Sequence, residues 1–171
     1  MIKQFFGFLK EVLDKIDRQQ INKLINELYA LRERKGRLFI LGVGGSAANA
    51  SHAVSDFRKL CGIEAYCPTD NVAELTARIN DDGWEQSFID WLRESNFNNN
   101  DALLILSVGG GDKDKKISMN IIFAMSLAEK LKAKILGIVG RDGGETKKRA
   151  DICVLIPNLY PLLITPIVES M

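Results

Sequence analysis

A chain of 171 residues, 46% of them hydrophobic, is long enough to bury one sizeable core, and one domain spanning 1–171 is expected. Its 23 Lys and Arg nearly cancel its 22 Asp and Glu, so a formal charge of +1 supplies no global field towards nucleic acid or anionic lipid, and neither is expected as a partner. No apolar run approaches the roughly 20 residues of a membrane span and the N-terminus has no signal pattern, so the expected location is the cytoplasm. Cys61, Cys67 and Cys153 match no metal-finger spacing and read as reduced, buried structural thiols.

In chain order, Ile2, Phe5, Phe6, Leu9, Val12, Leu13 and Ile16 recur at helical spacing, as do Ile21, Leu24, Ile25, Leu28 and Leu31 before Gly36. Residues 1–36 therefore predict a pair of amphipathic helices with more apolar face than one sheet covers, a surface for self-association. Beyond them, apolar runs alternate with helical stretches. Strands are predicted near 37–42, 102–107, 134–139 and 152–156, and helices near 46–60, 84–95 and 117–131. That alternation predicts a parallel sheet covered by helices on both faces. Ala73 to Ile79 reads as a short helix closed by the turn cluster Asn80, Asp81, Asp82 and Gly83. Trp84, Phe88, Trp91 and Leu92 share one face of the next helix and read as core.

The segment RLFILGVGGS carries the first chemistry. Its strand breaks at Gly42, Gly44 and Gly45, which allow sharp turning and close approach of a ligand, and Ser46 stands where an N-cap would leave amides free for an anion. On the following helix His52 and Asp56 are four apart and share a face. Together these suggest a phosphorylated substrate beside proton-transfer or metal chemistry. A second loop, Val108 to Asp112, follows the strand ending at Ser107, and a third, Gly140 to Gly144, follows KILGIV. Ligands bind beyond the carboxyl ends of parallel strands, so all three loops are expected on one rim. The glycines lack the spacing for dinucleotide or triphosphate binding. On spacing alone His52 reads equally as a structural helix histidine, and Asp56 as its solvated partner. Lys113, Lys115 and Lys116 read as a solvated helix start, and Asp142 as a turn and helix cap.

GVGGSAANASH, TDNVAELTARINDDG, GIVGRDGG and ADICVLIP, in this order, resemble the sugar isomerase (SIS) domain proteins, and among them the phosphoheptose isomerases most closely. The resemblance covers about residues 37–171. It implies a three-layer αβα sandwich with a flavodoxin-like parallel sheet, the helical pair 1–36 serving a homotetramer, and a core at 37–171, whose C-terminal helix is expected to be cut short in this sequence. The activity it implies is an aldose–ketose isomerisation of sedoheptulose 7-phosphate to D-glycero-D-manno-heptose 7-phosphate, for lipopolysaccharide or capsule heptose. Carried over by position, it places substrate at Val43, Gly44, Gly45, Ser46, Asn80, Asp81, Ser107, Val108, Gly109 and Asp112. It places catalysis at Asp56, His52 and Glu169. In some relatives the histidine binds zinc, so His52, Asp56 and Glu169 form the implied metal set, although nothing in the sequence requires a cofactor.

Several positions depart from the family pattern. Val43 stands for a sugar-contacting asparagine, Asp56 for a glutamate, Glu169 for a glutamine, and Gly109 and Asp112 for phosphate-holding serines. A carboxylate at 112 opposes a phosphate unless Lys113 or Lys115 turns inward. The family's second histidine would fall about two helical turns after Met171. A subgroup of phosphoheptose isomerases shares the SVGGGDK loop, so these changes look like one coherent variant. Two other readings of the same fold are a non-enzymatic adapter that binds the replication initiator and a sugar-phosphate sensor.

Overall fold

The computed structural model describes residues 2–170, and five parallel strands form its centre in the order β2-β1-β3-β4-β5. They are β1 (Leu38–Leu41), β2 (Ala65–Tyr66), β3 (Ala102–Ser107), β4 (Lys134–Val139) and β5 (Ile152–Leu155). The helices are α1 (Ile2–Lys15), α2 (Arg18–Glu33), α3 (Gly45–Lys59), α4 (Val72–Asp82), α5 (Ser87–Glu94), α6 (Met119–Leu131), α7 (Gly144–Arg149) and α8 (Ile164–Glu169), the last entered through a 3₁₀ turn at Pro161–Leu163. The Met171 terminus, beyond which the resemblance puts a second histidine, lies outside the described residues.

Alternate strand residues go to opposite faces, which makes three layers. Leu38, Ile40, Leu104, Leu136 and Val154 pack beneath α2, α3 and α8, while Phe39, Leu41, Leu103, Ile105 and Ile135 pack beneath α5 and α6. Because both faces are covered, the central strands are continuous apolar runs, and β3 and β4 coincide with their predicted bounds. The three-layer α/β class and the two leading helices match expectation. Asp17 starts α2 by accepting from the Gln19 and Gln20 amides at 2.9 and 3.3 Å.

Other local expectations need correction. Ser46 does not cap α3. Gly44 holds that position at φ 63°, and Ser46 is buried inside the first turn. The expected turn residues Asn80, Asp81 and Asp82 are the last turn of α4, which ends at Gly83 with φ 85°. Trp84 precedes α5 and is 39% exposed, whereas Phe88, Trp91 and Leu92 are buried. Cys67 is buried and Cys153 half-buried, but Cys61 is exposed, because it lies in the turn just after α3. Burial raises the pKa of the Cys67 and Cys153 thiols and holds them protonated.

No described helix is long and apolar enough to cross a membrane.

Candidate functional site

In the order β2-β1-β3-β4-β5, chain connections leave β1 and β3 in opposite directions across the sheet, and the crevice outside their carboxyl ends is where such sheets bind ligands. Two cavities open there. The first, about 770 Å³, is lined by residues from the loops after β1, β3 and β4, among them Val43, Ser107, Val108, Gly109, Asp112 and Arg141. The second, about 490 Å³, holds His52 and Asp56 against a largely apolar wall that includes Leu28, Phe57, Leu104 and Ile138. Ser46, Ser107 and Glu169 line both, so the cavities adjoin at the switch point.

Backbone contacts lock the second and third loops together. Gly110 and Thr146 are joined twice, by the Thr146 amide (2.9 Å) and hydroxyl (2.8 Å) donating to the Gly110 carbonyl, and the Glu145 amide donates to Gly111 at 3.0 Å. Gly110 sits at φ 70°, and a methyl group there would collide with the Gly143 carbonyl oxygen. Gly110→Ala is therefore expected to cost about 2 kcal/mol in urea unfolding, combining left-handed strain with the collision. A change below about 0.5 kcal/mol would mean that the two loops move apart freely. Ser107 Oγ accepts from the Gly110 amide at 2.9 Å, which leaves the hydroxyl hydrogen available to a ligand.

Asp112 serves the chain more than the cavity. Its backbone pairs with Ile117 in an antiparallel bridge, closing residues 113–116 into an excursion. Its carboxylate accepts from the Lys115 amide (3.0 Å) and pairs with the Lys115 ammonium (3.1 Å). These Lys115 contacts, the amide first, hold the Asp112 carboxyl below its ordinary range. The closed excursion returns the chain beside Gly111, so Ser118 stands directly before α6 at φ 55°, with no capping bond from its side chain, and lines the first cavity. Sequence reasoning missed Ser118 because the six residues from Asp112 separate it from the glycines. The signal was present: a serine directly before a strongly apolar helix.

His52 and Asp56 lie about two and three turns along α3. His52 Nε2 and Asp56 Oδ2 are 3.5 Å apart, with 80% and 51% of their side chains exposed. Gly45 carries no side chain where the Glu169 carboxylate lies over it, so α8 closes on the start of α3. Asn49 Nδ2 donates to the Glu169 carbonyl at 3.2 Å and reinforces that closure.

Asn80 and Asp81 line neither cavity. They hydrogen-bond each other at 2.8 Å on α4, which packs beside α5 on the opposite face of the sheet from α3 and α8. Nor do His52, Asp56 and Glu169 assemble as implied for a metal. Among the described residues no three His, Cys, Asp or Glu side chains converge to hold one, because Glu169 sits over the first turn of α3 and the other two lie further along the helix.

No family model matches the chain. The phosphoheptose isomerase of Helicobacter pylori strain 26695 is 30% identical over 168 residues, covering 92% of this chain and 83% of that protein. That of strain P12 is 32% identical over 155 residues, covering 86% and 74%. The chain belongs to the phosphoheptose isomerase family. Among solved structures, phosphoheptose isomerase GmhA from Neisseria gonorrhoeae matches with a TM-score of 0.76 at 23% identity, covering 99% of this chain and 96% of that one. Its counterpart from Francisella tularensis matches at 0.75 and 24%, covering 99% and 89%. These likenesses extend over the helical pair as well as the sheet, so α1 and α2 are part of the shared SIS-domain fold.

Proposed function

We propose that this phosphoheptose isomerase family member converts sedoheptulose 7-phosphate to D-glycero-D-manno-heptose 7-phosphate in the cytoplasm. One observation carries the reading. A cavity lined by Ser107, Ser118 and side chains of both charges, Arg141 among them, adjoins, at the sheet's switch point, a cavity that presents the Asp56 and His52 side chains. The phosphate end of an extended sugar fits the first and the reacting carbons the second. Asp56 takes a proton from C1 of the ketose while the electron pair moves onto the C2 carbonyl oxygen, and His52 protonates that oxygen to give an enediol. Asp56 returns its proton to C2 while His52 takes the C1 hydroxyl proton, which gives the aldose and restores both groups. Glu169, shared by both cavities, orients the sugar hydroxyls.

Exposed Ile2, Phe6 and Leu13 on α1, with Ile25 and Tyr29 on α2, support a homotetramer built through these helices. Incubation with sedoheptulose 7-phosphate, followed by NMR, should show the aldose phosphate, and light scattering should give a tetramer mass. Binding of the sugar phosphate with no product would overturn the enzyme reading in favour of a sensor.

A further inference from the structure

Gly109 stands where the family pattern has a phosphate-holding serine, and the Arg141 side chain borders the space that a serine side chain would enter. The guanidinium of Arg141 comes in from the third loop, with Nη1 3.5 Å and Cδ 3.8 Å from where a Gly109 Cβ would stand. Arg141 is held in the left-handed region at φ 51°, an arrangement that a non-glycine residue adopts only when its surroundings impose it. Of the acids in the same cavity, which also include Asp114 and Glu169, three have recorded partners of their own. Asp112 pairs with Lys115, Glu145 with Lys148, and Asp142 accepts from the Gly144 amide. Among the described residues no hydrogen bond or ion pair engages Arg141, which lines the first cavity with an exposed side chain. A fork of unpaired donors in the cavity that Ser107 and Ser118 also line matches the oxygens of a dianionic phosphate.

On the functional reading above, we infer that Arg141 is the phosphate-binding cation of this isomerase, replacing from the third loop the hydroxyl that Gly109 lacks. Specificity for a phosphorylated substrate then rests on a charged clamp rather than on a serine at position 109. Arg141 binds the ligand far from the reacting carbons, so its loss should appear in KM and leave kcat nearly untouched.

The test measures inorganic phosphate binding by calorimetry, and KM and kcat for the sugar phosphate, in the full chain and in Arg141→Gln. Expected are a phosphate Kd and a KM raised about 10- to 100-fold, with kcat within about threefold and the thermal midpoint unchanged. Arg141→Lys should lie between the two. Gly109 has ordinary backbone geometry and room for a Cβ, so Gly109→Ser in the Arg141→Gln background should recover about fivefold in phosphate affinity. Equal phosphate affinity in the full chain and Arg141→Gln would overturn the inference and leave the isomerase reading intact. Failure of the unaltered protein to bind phosphate or sugar phosphate would overturn both.

Discussion

Asp56→Asn is expected to lower kcat for sugar phosphate isomerisation by about 10²- to 10⁴-fold with little change in KM, the range that removal of a positioned general base produces. Asparagine keeps the volume and can still accept a hydrogen bond, but it cannot take a proton from carbon. The position favours this outcome over a structural one. Asp56 is half exposed, its side-chain neighbour is His52 at 3.5 Å, and it lines the apolar second cavity, where a carboxylate has no core to hold together. An exposed pair one helical turn apart contributes only a few tenths of a kcal/mol, so unfolding should hardly move. Product formation followed by NMR in both proteins decides the matter. Equal rates would remove Asp56 from the mechanism and leave Glu169, the carboxylate shared by both cavities, as the base.

At the opposite rim of the sheet the largest expected effect is on stability. Asp101, 1% exposed, precedes β3 and gathers four donors. They are the Arg37 amide (3.0 Å), Arg37 Nε (3.1 Å), Arg37 Nη2 (2.7 Å) and the Asn98 amide (3.0 Å). The Arg37 guanidinium also donates to the carbonyls of Ser95 and Asn96 at 2.9 and 2.8 Å and stacks 5.0 Å over Phe39. Bonding to Asp101 raises the Arg37 pKa above its ordinary value, so the guanidinium stays charged. Asp101→Ala leaves a partly buried cation and two amides without their acceptor. Loss of one partner of a buried pair typically costs 3–5 kcal/mol, and since Arg37 keeps its two carbonyls and some solvent, about 3 kcal/mol is expected here. In a chain of this size that lowers the thermal midpoint by about 6–12 °C. Because the latch ties the entry of β1 to the entry of β3, away from both cavities, kcat at a temperature where the variant is folded should not change. A loss below about 1 kcal/mol in urea unfolding would show that Arg37 and solvent compensate for the missing carboxylate.

Much of this architecture can be read from consecutive residues. LLILS and KILGIV are strands to the residue because a strand buried on both faces is an unbroken apolar run, and α1 and α2 show their helical period directly. β2 escapes such reading because two residues, Ala65 and Tyr66, carry no period. α7 escapes because GETKKR has no apolar face and is placed by Gly110 and Thr146 instead. The three glycine loops, His52 and Asp56 were likewise legible, as was their common rim, since parallel strands point the same way.

What local pattern could not convey is which groups meet. The strand order puts the switch point between β1 and β3, the Asp112–Ile117 bridge returns Ser118 to the cavity, and a residue with left-handed backbone geometry carries a guanidinium over Gly109. By the same packing Asn80 and Asp81 end on the far face of the sheet from His52 and Asp56, and Glu169 lies over Gly45 rather than beside His52. Periodicity and turn chemistry are written in neighbouring residues, so they survive in one dimension. The meeting of distant loops depends on backbone hydrogen bonds and exclusions between segments tens of residues apart, and these exist only once the sheet has formed.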